Sequence, residues 1–272
     1  MPIELPTQRR EAQQYNPRLL VLFGKPKSGK STLMAALDDN LIIDLEDGYR
    51  ALSVMSVPAF SANALFEIRQ ALHEKALKDN KRPYRFITID NATRLEEMAL
   101  PYAATKYRNT PLGQSWGLLK DPKNPLMNAK DKNGKSIPDP KADVRMLPNG
   151  AGYLYLRQAV RELVDMFKPY CETLILVGHV KDKQIQKNGE EMFEMSVDLA
   201  GKLGDIICGE ADAIGYIYRS GKETIISFEG GDNTIREARP LHLRGKKFVV
   251  AKSDDNNNIT VDMSQIFLTN QN

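Results

Sequence analysis

Residues 21–37 read VLFGKPKSGKSTLMAAL. An apolar run breaks into Gly24, Lys25, Pro26, Lys27, Ser28, Gly29, Lys30, Ser31 and Thr32, then turns apolar again. A buried element has no use for two glycines and three lysines, whereas a phosphate does. The spacing Gly24-x-x-x-x-Gly29-Lys30-Ser31 matches the phosphate-binding loop, where glycines let successive backbone N–H groups converge on one anion. Such a loop needs a strand before it and a helix after it. Leu19–Phe23 is short and wholly apolar, as a strand covered on both faces should be, and Thr32–Leu37 has helical composition. In that setting Lys30 bridges the outer phosphates and Ser31 gives its hydroxyl to Mg²⁺, with the helix dipole adding to the cradle.

Working outward, Leu41–Ile43 reads as a second buried strand, ended by Asp44-Leu45-Glu46-Asp47-Gly48. Ser61 can cap a helix whose Leu65, Ile68 and Leu72 share a face. Phe86–Ile89 is a third strand, followed at once by Asp90. A helix from Gly152 to Phe167 turns Val160, Leu163, Val164 and Phe167 inward, and a fourth strand, Thr173–Val177, stops at Gly178-His179. Strands alternating with helices predict an α/β fold, a three-layer phosphate-loop domain with a mostly parallel central sheet. The tail changes character. Lys183–Ser196 alternates around the turn signal Asn188-Gly189, and Ala213–Tyr218, Glu223–Phe228 and Phe248–Ala251 read as antiparallel additions. SDDNNNITVDMSQ reads as a solvated loop leading to a flexible C-terminal tail. The expectation is one domain over 1–272.

Asp90 ends a buried strand at the sheet edge where ligands bind in open α/β folds, so it is the candidate second magnesium partner. The competing reading makes it the cap of a helix over Ala92–Leu100. For the base that activates water, Asp44 and Glu46 compete; alternation sends both to one side, and Glu46 reaches further. Asp47 points away or belongs to the turn. Glu96 and Glu97 fall a helix interval beyond Asp90 and read as a solvated face. His179 is either a satisfied structural histidine or a sensor of the terminal phosphate.

Residues 105–150 stand apart, with six prolines, little periodicity and the lone Trp116. They carry nine basic residues against four acidic, a balance of +5 that exceeds the +3 of the whole chain. With so small a net charge, affinity for a polyanion must come from such a patch. A structureless stretch above about 12–15 residues is usually functional or disordered. The two cysteines, Cys171 and Cys208, are far apart and outside any Cys/His cluster, which argues against a zinc site or disulfide framework and for a reduced, cytoplasmic setting. No run nears the ~20 apolar residues of a membrane span, and the start lacks a signal-peptide core.

The order GKPKSGKST, LIIDLEDG, FITIDNATRL, LILVGHVKD resembles the RecA-type ATPase core, and within it the small phage-encoded proteins that anneal single strands, over roughly residues 18–250. The resemblance implies a RecA-type fold binding ATP and Mg²⁺, with Glu46 as the catalytic glutamate, Asp90 on magnesium and His179 where RecA itself has a glutamine. Family DNA-binding loops follow the third and fourth strands. Here those places are the basic segment, with Lys120, Lys123, Lys130 and Lys132, and the hairpin, with Lys181, Lys183 and Lys187. The implied partners are single-stranded DNA, further copies of the chain in a ring or filament, and a single-strand-binding protein, in the cytoplasm of a phage's host. Lys202, Arg236, Arg239, Arg244 and Lys246 are candidates to reach a neighbour's nucleotide. Trp116, Tyr102, Tyr107, Tyr153, Tyr155 and Phe193 could stack on bases or pack in the core.

Three functions remain to be separated. The first is a DNA-binding ATPase for annealing or recombination. The second is a nucleotide switch or helicase loader. The third is a small-molecule phosphotransferase with 105–150 as its lid, against which the segment's mere two arginines, Arg108 and Arg145, count.

Overall fold

The computed structural model describes residues 5, 7–9, 11–187, 190–231, 234–256 and 258–269, apart from the side chains of 183, 185–187 and 190–193. The elements in chain order begin β1 (Leu19–Gly24), α1 (Lys30–Ala35), β2 (Asn40–Asp44), β3 (Met55–Pro58), α2 (Ala62–Asp79), β4 (Phe86–Asp90), α3 (Ala92–Arg108) and α4 (Gly152–Asp165). They continue with β5 (Thr173–Lys187), β6 (Glu190–Val197), α5 (Leu203–Glu210), β7 (Ala213–Ser220), β8 (Glu223–Ser227), β9 (Glu237–Ala238), β10 (Lys247–Ser253) and β11 (Ile259–Val261).

The sheet runs β11-β10-β8-β7-β1-β5-β4-β2-β3, with β6 on β5 and β9 on β7. From β7 to β3 all neighbours are parallel; β8, β10, β11, β6 and β9 add antiparallel. This is the α/β architecture expected, with one difference. β7 lies parallel beside β1, with Gly24 level with Ile217, instead of joining as an antiparallel addition. The short β3 carries little apolar signal because it is a mostly exposed edge strand.

Alternation divides the core. Val21, Phe23, Ile43, Ile89 and Leu176 point to the side covered by α2 to α5. Leu20, Leu22, Ile42, Phe86, Val177 and Ile217 point to the other, covered by α1 and the C-terminal segments. Each fully buried Leu, Ile or Phe contributes about 1.5–3 kcal/mol of transfer free energy. The C-terminal tail expected to be flexible is packed: Ile266 is 0% exposed, the Phe267 ring lies 4.5 Å from Phe86, and the Leu268 carbonyl accepts from Asn16 and Arg85. Three apolar residues set among polar ones gave no periodic signal, yet they cap one layer.

Helix α3 runs on through Pro101 to Arg108, and Asn91, not Asp90, is its cap, accepting from the Arg94 amide at 2.9 Å. Beyond α3 the basic segment forms a small knob over residues 117–142. Leu119 N–H donates to Ile137 C=O at 2.9 Å, Ile137 N–H to Ala129 at 2.9 Å, and Ala129 N–H to Leu119 at 2.8 Å, closing a ring of three stubs. Two residues after each stub centre comes Asp121, Asp131 or Asp139, whose carboxylate accepts the amide of Lys123, Asn133 or Lys141. Asx turns thus replace a core. The knob is rooted by Tyr107, whose ring meets Trp116 at 5.3 Å and Tyr155 at 5.2 Å, and by buried Val144 and Leu147.

Candidate active site

The ends of β1, β2 and β4 build one cleft with the middle of β5, which runs on to Lys187 instead of stopping at His179. In register, Asp44 lies level with Asp90, Asp90 with Val177, and Gly24 with His179. His179 therefore stands two residues beyond the level of Asp90. Asp44, Asp90 and His179 keep the parity of Ile42, Phe86 and Val177, so all three side chains leave the sheet on the side of α1. Glu46 is two residues past Asp44 and joins them. A cleft of about 400 Å³ is lined by Lys27, Gly29 to Thr32, Asp44, Glu46, Tyr49, Asp90, His179 and Arg219. The phosphate loop and all three proposed catalytic or metal side chains beyond it, Glu46, Asp90 and His179, thus meet in one place.

The loop's two glycines serve different ends. Gly29 sits at φ 99°, the left-handed region, and opens α1 with no side-chain cap, which leaves first-turn amides free for an anion. Gly24 has an ordinary conformation; a Cβ there would lie 2.4 Å from the Ile217 carbonyl, so it is glycine because β7 packs against it. The Ser28 hydroxyl is buried with no partner, as expected of a group waiting for a ligand oxygen. Lys30 donates to the Gly24 and Lys25 carbonyls at 3.0 and 2.9 Å. Burial pulls its pKa down, opposed by Asp90 and Glu46.

Asp90 accepts a 2.6 Å hydrogen bond from the Tyr49 hydroxyl, and Ser31 Oγ lies 3.4 Å from the same oxygen. Burial pushes the Asp90 carboxyl above the usual range; the Tyr49 hydrogen bond opposes this, and the Glu46 charge adds to it. Burial first, then the Asp90 charge, likewise holds the Tyr49 phenol well up. A carboxylate strained toward protonation beside a serine hydroxyl fits a divalent cation, which would relieve it; a Mg²⁺ bound to substrate phosphates asks for little more from the protein. Among the described residues no cluster of three His, Cys, Asp or Glu groups could hold a metal alone.

Hydrogen bonds set Asp44 apart from Glu46. Asp44 accepts the amides of Glu46 (3.1 Å), Gly48 (3.2 Å) and Tyr49 (3.3 Å), so it shapes the turn. Glu46 is exposed to the cleft. Asp47, at φ 60°, pairs with Arg50 in the turn. Glu96 is not on a solvated face. It is 6% exposed and accepts the Ala200 amide at 2.8 Å, while Glu97 is exposed beside Arg94. The His179 Nε2 lies 3.2 Å from Asn91 Nδ2, a donor, so the neutral ring carries its proton on Nδ1, which is buried without a partner.

The DNA-contact candidates whose side chains are described lie apart from the cleft lining. Lys123, Lys130 and Lys132 are exposed on the knob, and Lys120 reaches Asn128 at 3.1 Å. Lys181 is engaged by the Leu199 carbonyl and by Asp198 at 3.7 Å. The side chains of Lys183, Lys187 and Phe193 and the Asn188-Gly189 turn fall outside the described residues. Tyr102, Tyr107, Trp116 and Tyr155 pack against the core, so the packing reading holds for those rings. Arg236, Arg239 and Arg244 hold groups of their own chain. Sequence reasoning missed Tyr49, Asn91 and Arg219. Asn91 was legible as an Asx residue before a helix; Tyr49 and Arg219 gave no signal of their own.

A family model described as an AAA domain matches residues 16–137 and, in a second match, 123–253. The chain belongs to the AAA domain family. The two matches to this AAA domain overlap inside the knob. A solved structure, the RadB recombinase, aligns with 90% of the AAA domain chain and 91% of its own at 11% identity and a TM-score of 0.43. No curated protein matches. Among the described residues of this AAA domain, no helix is long and apolar enough to cross a membrane.

Proposed function

We propose that this AAA domain hydrolyses ATP with Mg²⁺ and binds single-stranded DNA, coupling turnover to annealing or recombination in phage DNA metabolism, as an oligomer. The observation that carries the reading is the meeting of a phosphate loop with Ser31, Asp90 and Glu46 on one side of the sheet. Lys30 leaves the two loop carbonyls for the outer phosphates. Ser31 and Asp90 would hold Mg²⁺, which supplies positive charge to the transferring phosphoryl group. Tyr49 fixes the Asp90 carboxylate. Glu46 accepts the proton of the attacking water, and His179, next to the loop in register, senses the terminal phosphate.

Support for DNA binding comes from charge. No ion pair within 4 Å neutralises Lys120, Lys123, Lys130 or Lys132 among the described residues, while the knob's aspartates are occupied by backbone amides. ATP turnover with and without single-stranded DNA is the test. Stimulation by the strand supports the proposal. Nucleotide binding without turnover would replace it with a switch or loader, and phosphate found on a nucleoside would replace it with a phosphotransferase.

A further inference from the structure

Arg219 lines the cleft from outside the phosphate loop and has no role so far. It sits near the end of β7, in register with Thr224 of β8, and keeps the parity of Ile217, so it too leaves the sheet on the side of α1. A Cβ placed on Gly29 would lie 3.9 Å from its Nη2 and 3.5 Å from Thr224 Oγ1, so the guanidinium rests against the phosphate loop. It is exposed, and no hydrogen bond or ion pair holds it among the described residues. An unneutralised arginine fork lining a phosphate cleft is matched to a phosphate oxygen pair.

The strand order decides which phosphate. β7 flanks β1 on one side; β5, β4 and β2, which carry His179, Asp90 and Glu46, lie on the other. The phosphate loop runs from β1 between them. A triphosphate laid on it with its reacting end at the carboxylates would have its nucleoside end toward β7. We infer that Arg219 grips the nucleotide at its α-phosphate, where the nucleoside begins, and sets affinity for nucleotide instead of acting on the transferred phosphate. The inference rests on the nucleotide reading above.

Direct titration of ADP and of ATP, with steady-state kinetics, tests it on the full chain carrying Arg219→Ala or Arg219→Lys. Because Arg219 is exposed, both variants should melt like the wild type. Removing one charge-assisted hydrogen bond is worth about tenfold. Arg219→Ala should therefore weaken ADP and ATP by the same factor of about ten, with the loss falling on KM; Arg219→Lys should recover part of it. Unchanged ADP affinity with a lower kcat would overturn the inference and place Arg219 at the terminal phosphate. Unchanged affinity for both nucleotides would remove it from the site. A wild-type chain that binds neither nucleotide would sink the functional reading together with this one, whereas binding without turnover would sink hydrolysis alone.

Discussion

The cleft and the knob are both phosphate-facing surfaces in the proposed function, built on opposite principles. In the cleft, polar groups stand on the ends of buried strands and most are held: Asp44 by three amides, Asp90 by Tyr49, Lys30 by two carbonyls. In the knob the backbone is held by its own amides and three aspartates, and among the described residues no ion pair holds Lys120, Lys123, Lys130 or Lys132. Leu126, 93% exposed at its tip, has nothing to pack against. Chemistry at a bond needs fixed geometry, whereas a polyanion needs only charge within reach. Single substitutions should therefore act strongly in the cleft, and the knob should respond only to several at once.

The largest effect expected is at Glu46. Glu46→Gln keeps size and binding but removes the base, so single-turnover hydrolysis should slow about 10²–10⁴-fold with ATP affinity kept. Normal turnover would show that Glu46 is not the base. Next is Gly24→Ala, which drives a methyl against the Ile217 carbonyl and parts β1 from β7. Overpacking of that kind costs about 3 kcal/mol, readable in urea melts. A melt that does not move would mean the two strands separate easily. In the knob, replacing Lys123, Lys130 and Lys132 together should lower the slope of log affinity for single strands against log salt by about 2, roughly 0.7 for each phosphate no longer neutralised. An unchanged slope would shift the DNA-binding surface elsewhere.

The smallest effect is on stability. Burial raises the Asp90 pKa above its ordinary 3.8. Below that value the folded and unfolded chains both carry a protonated group, so nothing is lost. As pH rises through the folded-state value, the buried group ionises at the expense of the fold. Asp90→Asn should therefore raise the nucleotide-free Tm by a few degrees at neutral pH. The two melting curves should converge in acid. Equal Tm at neutral pH would show that Tyr49 and Lys30 already offset the burial.

Much of the cleft was legible because its chemistry is local. The loop spacing, the apolar strand before it and a carboxylate at a strand end are adjacent in the chain. Asp44 and Glu46 could not be separated that way, since what divides them is where three amides point. Glu96 looked solvated because a helix interval says nothing about the Ala200 amide arriving from 104 residues away. The knob's repeat, Leu119-Lys120-Asp121, Ala129-Lys130-Asp131 and Ile137-Pro138-Asp139, was present in the letters but lacks the period of any helix or strand.

By itself the sequence determined that a phosphate loop joins a buried strand to a helix, that acidic residues end the following strands, and that positive charge gathers between 105 and 150. Those properties depend on residues a few positions apart. Tertiary structure alone decided that β7 lies parallel beside β1, that Tyr49 rather than a helix cap engages Asp90, and that Arg219 faces the loop. Each of these joins residues far apart in the chain, and alternation along a strand says which side a residue leaves the sheet but not what it will meet there.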